Sequence, residues 1–417
     1  MLEKFFDSSA RGLARVRSLR NGLHGLQLDS FAKELIHGRY SNITGRRHLR
    51  SAEHFVYWAN NNRILLPQWN NGLLEGFLSH LRRRRCAYGH AVPENQRTGA
   101  SLFLRHLHTA GLISRPPVDS IVRPALLVSF RRWMREQRGT QDLTLYNYDV
   151  PIRTLLEEVS EDLKGLDARS LRHCFLEYCN GKGYAVIKHG ATALRMFVRF
   201  LVAEGRCPRG LEGAIPLVPY WRLSSLPRYL QPEEVERIVA SCDLTTAVGK
   251  RDHAILLLLG RLGLRAGDVV DLRLSDLDWQ DAWVQVCGKG RRQTRLPLTQ
   301  ELGDALVAYL RHGRPPTDTD RVFVCCRAPF RPFAAHHAVS VIVDRAMRRA
   351  GVTPPGRGAA HLLRHSVATS LLRQGASLQD IATVLRHRSI QTTQIYAKVD
   401  VSTLYQIAQP WPEVQPC

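Results

Sequence analysis

The sequence predicts a mainly α-helical protein with one small antiparallel sheet, built as helical modules followed by a mixed α+β domain. Three observations predict this class. Residues 31–115 and 124–210 carry apolar side chains at helical spacing. Two short apolar runs, 283–286 and 295–298, flank the glycine-bearing tip 287–294 and read as a hairpin. Beyond residue 361, short helical patterns are punctuated by Gly375 and by a capping sequence at Ser377.

The composition narrows the function. The 417 residues suggest two or three domains, and 44% hydrophobic content fits globular rather than disordered chain. The formal net charge is +22, from 59 basic and 37 acidic residues. Such a surface calls for a polyanionic partner, most simply nucleic acid. Only 8 of the basic residues are Lys, so part of the excess reflects a preference for Arg. The nine Cys are scattered without a C-x-x-C pair or His at zinc-ligand spacing, which points to free thiols in a reducing compartment. The first residues lack the apolar core of a signal peptide. The longest apolar run, 254–264, is broken by Arg261 and too short to span a bilayer. A cytoplasmic protein with no membrane segment is expected.

Taken in order, residues 1–30 read as a basic amphipathic helix and its exit. The rest of 1–115 reads as three helices, the first capped around Ser41 and carrying Leu49, Ala52, Phe55, Val56 and Ala59. The second holds Leu73, Leu74, Phe77, Leu78 and Leu81, and the third Leu102, Phe103, Leu104 and Leu107. Residues 1–115 contain 18 basic and 7 acidic residues, so half of the net charge lies in about a quarter of the chain. The run from Arg82 to Arg85 suits a phosphate backbone. Residues 1–115 are therefore expected to form an extra DNA-binding module.

After a Pro-containing linker at 114–117, residues 116–220 form a second helical domain. Its helices carry Leu126, Leu127, Phe130 and Trp133; Ile152, Leu155, Leu156 and Val159; Leu171, Phe175 and Tyr178; and, over 193–204, Leu194, Phe197, Phe200 and Leu201. The segments RHLRSAEHFVYWANNNRI and YDVPIRTLLEEVSEDLKG align loosely, as do SLFLRHLHTAGLI and ALRMFVRFLVAEGRC, which suggests a duplicated four-helix module. Residues 211–230 read as an extended linker, and the last domain, 221–417, opens with a helix at Gln231-Pro-Glu-Glu.

Within that domain, residues 251–264 read as one buried helix ending in Gly263-Leu-Arg265. Arg265 opens the next helix, whose free N–H groups suit an anion, with Asp268 three residues on. Lys289 lies between glycines on the hairpin tip, where a lysine can approach a backbone closely. Helices are expected at 301–310 and 336–350, with a short strand after Asp318. The adjacent His336 and His337 point apart on a helix, and no acidic cluster accompanies them, so a metal site is not expected. His361 and Arg364 share a helix face. Leu385-Arg386-His387 follows the helix capped by Ser377 and Asp380, and Thr393-Gln-Ile-Tyr396 comes last.

The ordered set Gly-Leu-Arg265, then His361-Leu-Leu-Arg364-His365, Gly375, Leu385-x-His387 and Thr393-x-x-Tyr396 resembles the tyrosine recombinase, or phage integrase, family. The resemblance implies a helical, SAM-like core-binding domain before the catalytic domain. It also implies a site of Arg265, Lys289, His361, Arg364, His387 and Tyr396. Tyr396 would attack a DNA phosphodiester to give a 3′-phosphotyrosine and a free 5′-hydroxyl. Arg265 and Arg364 would stabilise the phosphorane. His361 and His387 would donate hydrogen bonds or take the Tyr proton, and Lys289 would protonate the leaving hydroxyl. Double-stranded DNA is the implied partner, with a homotetramer on two duplexes; no metal and no cofactor are implied. The chain departs from the family pattern twice: Asp268 replaces the usual Glu and is expected still to hold the Arg265 side chain or to cap the helix, and Arg386 replaces the usual Gly, where it calls for a different local turn or adds a phosphate contact. The alternatives are an accessory DNA-binding protein without catalysis, a topoisomerase with the same Tyr chemistry, and a metal-dependent nuclease.

Overall fold

Helix starts in this chain are set by side chains that accept the first free N–H groups. Ser41 Oγ accepts from Thr44 N at 3.3 Å, and Asp167 Oδ1 from Ser170 N at 2.7 Å. The Gln231 N–H donates to Glu234 Oε2 at 2.9 Å, and Ser377 and Asp380 cap each other. The computed structural model describes residues 1–70, 72–83, 93–113, 124–160, 162–163, 165–219, 226–287, 293–356, 358–399 and 405.

The chain falls into two compact units, one of Arg115–Arg222 and the other of Met1–Ser114 together with Leu223–Cys417. In the latter, a 3₁₀ turn at Leu2–Phe5 precedes α1 (Ala10–Asn21), α2 (Gly25–His37), α3 (Asn42–Asn61), α4 (Leu73–Arg83) and α5 (Pro93–Thr109). The single helix expected over 1–30 is thus two, because Ser9 caps α1 and the chain turns at residues 22–24 before α2. A core of Phe31, Leu35, Phe55, Trp69, Phe77 and Phe103 holds the five helices together, with α3 packed on α5. Beyond Arg82, the arginine run lies outside the residues whose side chains are described.

The Arg115–Arg222 unit contains α6 (Ala125–Arg138), α7 (Asp142–Val159), α8 (Ala168–Cys179) and α9 (Tyr184–Ala203) around Phe130, Ile152, Phe175 and Phe197. Here α7 packs on α9, the counterpart of α3 on α5 in the sequence alignment. Helix α9 starts nine residues earlier than its apolar pattern suggests. Gly190, which weakens that pattern, is required by packing: a Cβ there would sit 2.2 Å from Tyr178 Cε1.

The remainder runs α10 (Pro232–Ala240), α11 (Ala247–Gly260), α12 (Ala266–Asp271), β1 (Leu277–Asp278), β2 (Trp283–Cys287), β3 (Gln293–Pro297), α13 (Gln300–His312), α14 (His337–Arg349), α15 (Ala359–Arg373) and α16 (Leu378–Val384). The antiparallel sheet has the order β1-β2-β3, with Val284 opposite Leu296 and both buried. The stretch expected as a strand after Asp318 makes only isolated bridges, Arg273 to Arg321 and Val324 to Pro332. Helix α11 is buried all round from Ala254 to Leu259 and forms the centre of the core that α10, α13 and α15 pack against. Among the described residues, no helix is long and apolar enough to cross a membrane.

Candidate active site

The end of α11 delivers the first arginine. Gly263 turns the chain with φ +59, and a Cβ there would meet Leu385 Cδ2 at 2.8 Å, so glycine serves both the turn and the close approach. Arg265 then occupies the N-cap of α12, where its N–H donates to Asp268 Oδ2 at 3.0 Å. Asp268 does not bind the Arg265 side chain. Its carboxylate pairs with Arg386 Nη2 at 2.6 Å, both side chains being buried.

Helix α15 presents His361, Arg364 and His365. Arg364 is 4% exposed and donates to the carbonyls of Gly263 and Leu385, tying the turn after α11 to the end of α16. Arg265 Nη2 donates to the Arg386 carbonyl at 3.3 Å, so the two arginines grip consecutive carbonyls of one short segment. Burial, and then the charges of Arg265 and Arg386, push Arg364 down to about 9. Burial likewise lowers Arg265, with Asp268 opposing and Arg386 adding to the fall. Positive charge thus accumulates beyond what Asp268 neutralises, which favours binding of an anion.

Tyr396 lies on the 3₁₀ segment Gln394–Val399, 2% exposed, with its hydroxyl 2.7 Å from His365 Nδ1. Desolvation raises the phenol to about 12, against the pull of the Arg364 charge. Burial, then the charges of His361 and Arg364, push His365 down to about 4. At neutral pH its imidazole is therefore uncharged and able to accept the phenolic proton. His387 Nδ1 meets the buried Thr393 Oγ1 at 2.8 Å, and the ring is pushed down to about 4 by desolvation and then by Arg364 and Arg265. His361 reaches solvent at the mouth of the site, its ring centroid 6.4 Å from that of His365. Its pKa is lowered by partial desolvation and by Arg364 and Arg265. For so open a ring, the two positive charges are the firmer cause.

Five of the six residues expected from sequence, Arg265, His361, Arg364, His387 and Tyr396, gather on adjoining elements; Lys289 lies outside the described residues, between β2 and β3. One partner escaped the sequence reading. His365 contacts the phenol, where His361 or His387 was expected as the proton acceptor. Its signal was its place one helical turn after His361 and next to Arg364. Arg386 joins the cluster through Asp268. Among the described residues, His, Cys, Asp and Glu nowhere gather into a group of three that could hold a metal ion.

The profile of the Phage integrase family matches residues 228–403, the stretch that carries all of these positions. Two proteins of Sinorhizobium fredii (strain NBRC 101917 / NGR234), named integrase/recombinase y4rA and y4rF, are similar to the chain. The first is 37% identical over 68% of this chain and 70% of its own length; the second is 31% identical over 99% of this chain and 96% of its own. A crystal structure of XerH site-specific recombinase bound to palindromic difH substrate, a post-cleavage complex, covers 69% of this chain and 85% of its own at TM-score 0.55 and 22% identity, which shows the shared fold. With one relative matched along nearly its whole length, another over more than two thirds, and a tyrosine, two arginines and three histidines gathered where the family profile lies, the chain belongs to the phage integrase family and is a tyrosine site-specific recombinase.

Proposed function

We propose that Tyr396 is the nucleophile of this recombinase and that the scissile phosphate of double-stranded DNA sits on Arg265 and Arg364. The observation that carries the proposal is the 2.7 Å contact between the Tyr396 hydroxyl and the neutral His365, with the buried Arg364 and the half-buried Arg265 in the same cluster. As the phenolic oxygen bonds to phosphorus, its proton passes to His365 Nδ1. The phosphorane's charge spreads over the non-bridging oxygens, where arginine N–H groups and His361 and His387 stabilise it. The 5′-oxygen leaves with a proton from Lys289, and the DNA remains joined to Tyr396 through its 3′-phosphate. Attack of a 5′-hydroxyl on that linkage reverses each step and rejoins a strand, so the bond energy is kept without a cofactor.

The same reading gives residues 1–115 the role of an extra DNA-binding module, 116–220 that of the core-binding domain and 221–417 that of the catalytic domain. Assembly as a homotetramer on two duplexes, service to a mobile element and a cytoplasmic location complete it. The family resemblance supports these assignments, and for residues 1–115 the concentration of positive charge does.

Tyr396→Phe tests the proposal. The variant should bind the DNA on which the wild-type protein is covalently captured, with unchanged affinity, and form no adduct on a nicked version of it. An adduct that survives the substitution sinks the assignment.

A further inference from the structure

Arg386 holds a backbone conformation that side chains rarely adopt, with φ 55. Placing a non-glycine residue there costs about 1–2 kcal/mol. The side chain is buried at 6% exposure and spends one nitrogen, Nη2, on Asp268. Its Nε and Nη1 are also buried and meet no acceptor among the described residues. Leaving charged donors so is costly, and the cost is compounded by the position. The Leu385 and Arg386 carbonyls are the acceptors of Arg364 and Arg265, so three guanidiniums crowd about one short segment.

We propose that Arg386 is a third phosphate-binding arginine of the active site, its Nε and Nη1 donating to the scissile phosphate when DNA is seated while Asp268 holds Nη2. Strain, burial and missing acceptors among the described residues then have one explanation: the free protein keeps a fork of donors that the substrate's anion satisfies. The shorter Asp268 fits the same arrangement, since its carboxylate anchors Arg386 and caps α12 at once. The inference rests on the assignment of Arg265, Arg364 and Tyr396 as the reacting site.

Arg386→Gly is the decisive variant. Glycine adopts φ 55 without strain and keeps the carbonyl that Arg265 grips, so the fold should persist, as thermal melting would verify. Two nicked duplexes would be made from the DNA on which the wild-type protein is captured. One carries an ordinary scissile phosphodiester, the other a methylphosphonate, in which a methyl group replaces a non-bridging oxygen and removes the charge. Capture by the variant should be about 100-fold slower than wild type on the phosphodiester. On the methylphosphonate the difference should largely disappear. Wild-type capture of the phosphodiester by the glycine variant would overturn the proposal. So would an equal deficit on both substrates, which would reduce Arg386 to a brace for Asp268. Failure of the site assignment would look different, as an adduct that persists in Tyr396→Phe.

Discussion

Lys289 shows what a single residue can and cannot be read for. The sequence puts it between glycines in the stretch that joins β2 and β3, and the family resemblance proposes it as the proton donor to the leaving oxygen, a role with a chemical signature. Lys289→Ala should slow strand cleavage by about 100-fold or more. A substrate with a 5′-bridging phosphorothiolate, whose leaving sulfur needs no proton, should restore the rate; a variant equally slow on both would give the lysine another task. Tyr396, His387 and Arg364 were singled out in the sequence by the family pattern, and the structure gathers them on adjoining elements. His365 was visible but not assigned. Spacing put it on the face of His361, and only the fold of the last segment decides which of the two histidines the phenol meets.

At the scale of elements, helix starts were readable and helix neighbours were not. The helices that begin at Ser41, Gln231 and Ser377 start where the sequence places them, since each start is held by a local bond between residues three apart. The early start of α9 and the two-residue strand β1 were missed. Gly190 is fixed by the ring of Tyr178 on another helix, and two residues carry no alternating pattern. Gly263 is the corresponding long-range case in the active site: its φ of +59 and its contact with Leu385 join two elements far apart in sequence. Gly263→Ala should cost about 1–2 kcal/mol from the backbone alone. Because the Gly263 carbonyl accepts from Arg364, the cleavage rate should fall as well. Thermal unfolding and single-turnover cleavage measure the two effects, and a variant unchanged in both would show that the turn tolerates a side chain.

Over the whole molecule, the uneven spread of charge makes a testable claim. If residues 1–115 bind backbone phosphates, each neutralised phosphate adds roughly 0.9 to the slope of log affinity against log salt. Changing the exposed Arg11, Arg17, Arg46 and Arg50 to Gln should flatten that slope by a few units and leave covalent capture on a short nicked site intact at low salt. An unchanged slope would assign this charge to a solvated face. The mainly helical class and its small sheet were plain from periodicity. The grouping of Met1–Ser114 with Leu223–Cys417 was not, because no local pattern encodes which modules of a chain share contacts.

The grip of Arg364 and Arg265 on the carbonyls of Gly263, Leu385 and Arg386 also bears on how such a gene can decay. On the proposed mechanism such a guanidinium is both reagent and rivet and cannot be lost for one purpose alone. Lysine, a single point of charge, reproduces neither the fork nor the brace. On that mechanism a copy that mutates Arg364 would surrender the bonds that join Gly263 to Leu385 along with its chemistry. A silent relative kept only for binding DNA would more readily be one that has lost Tyr396, whose hydroxyl can be removed while the ring still fills its place.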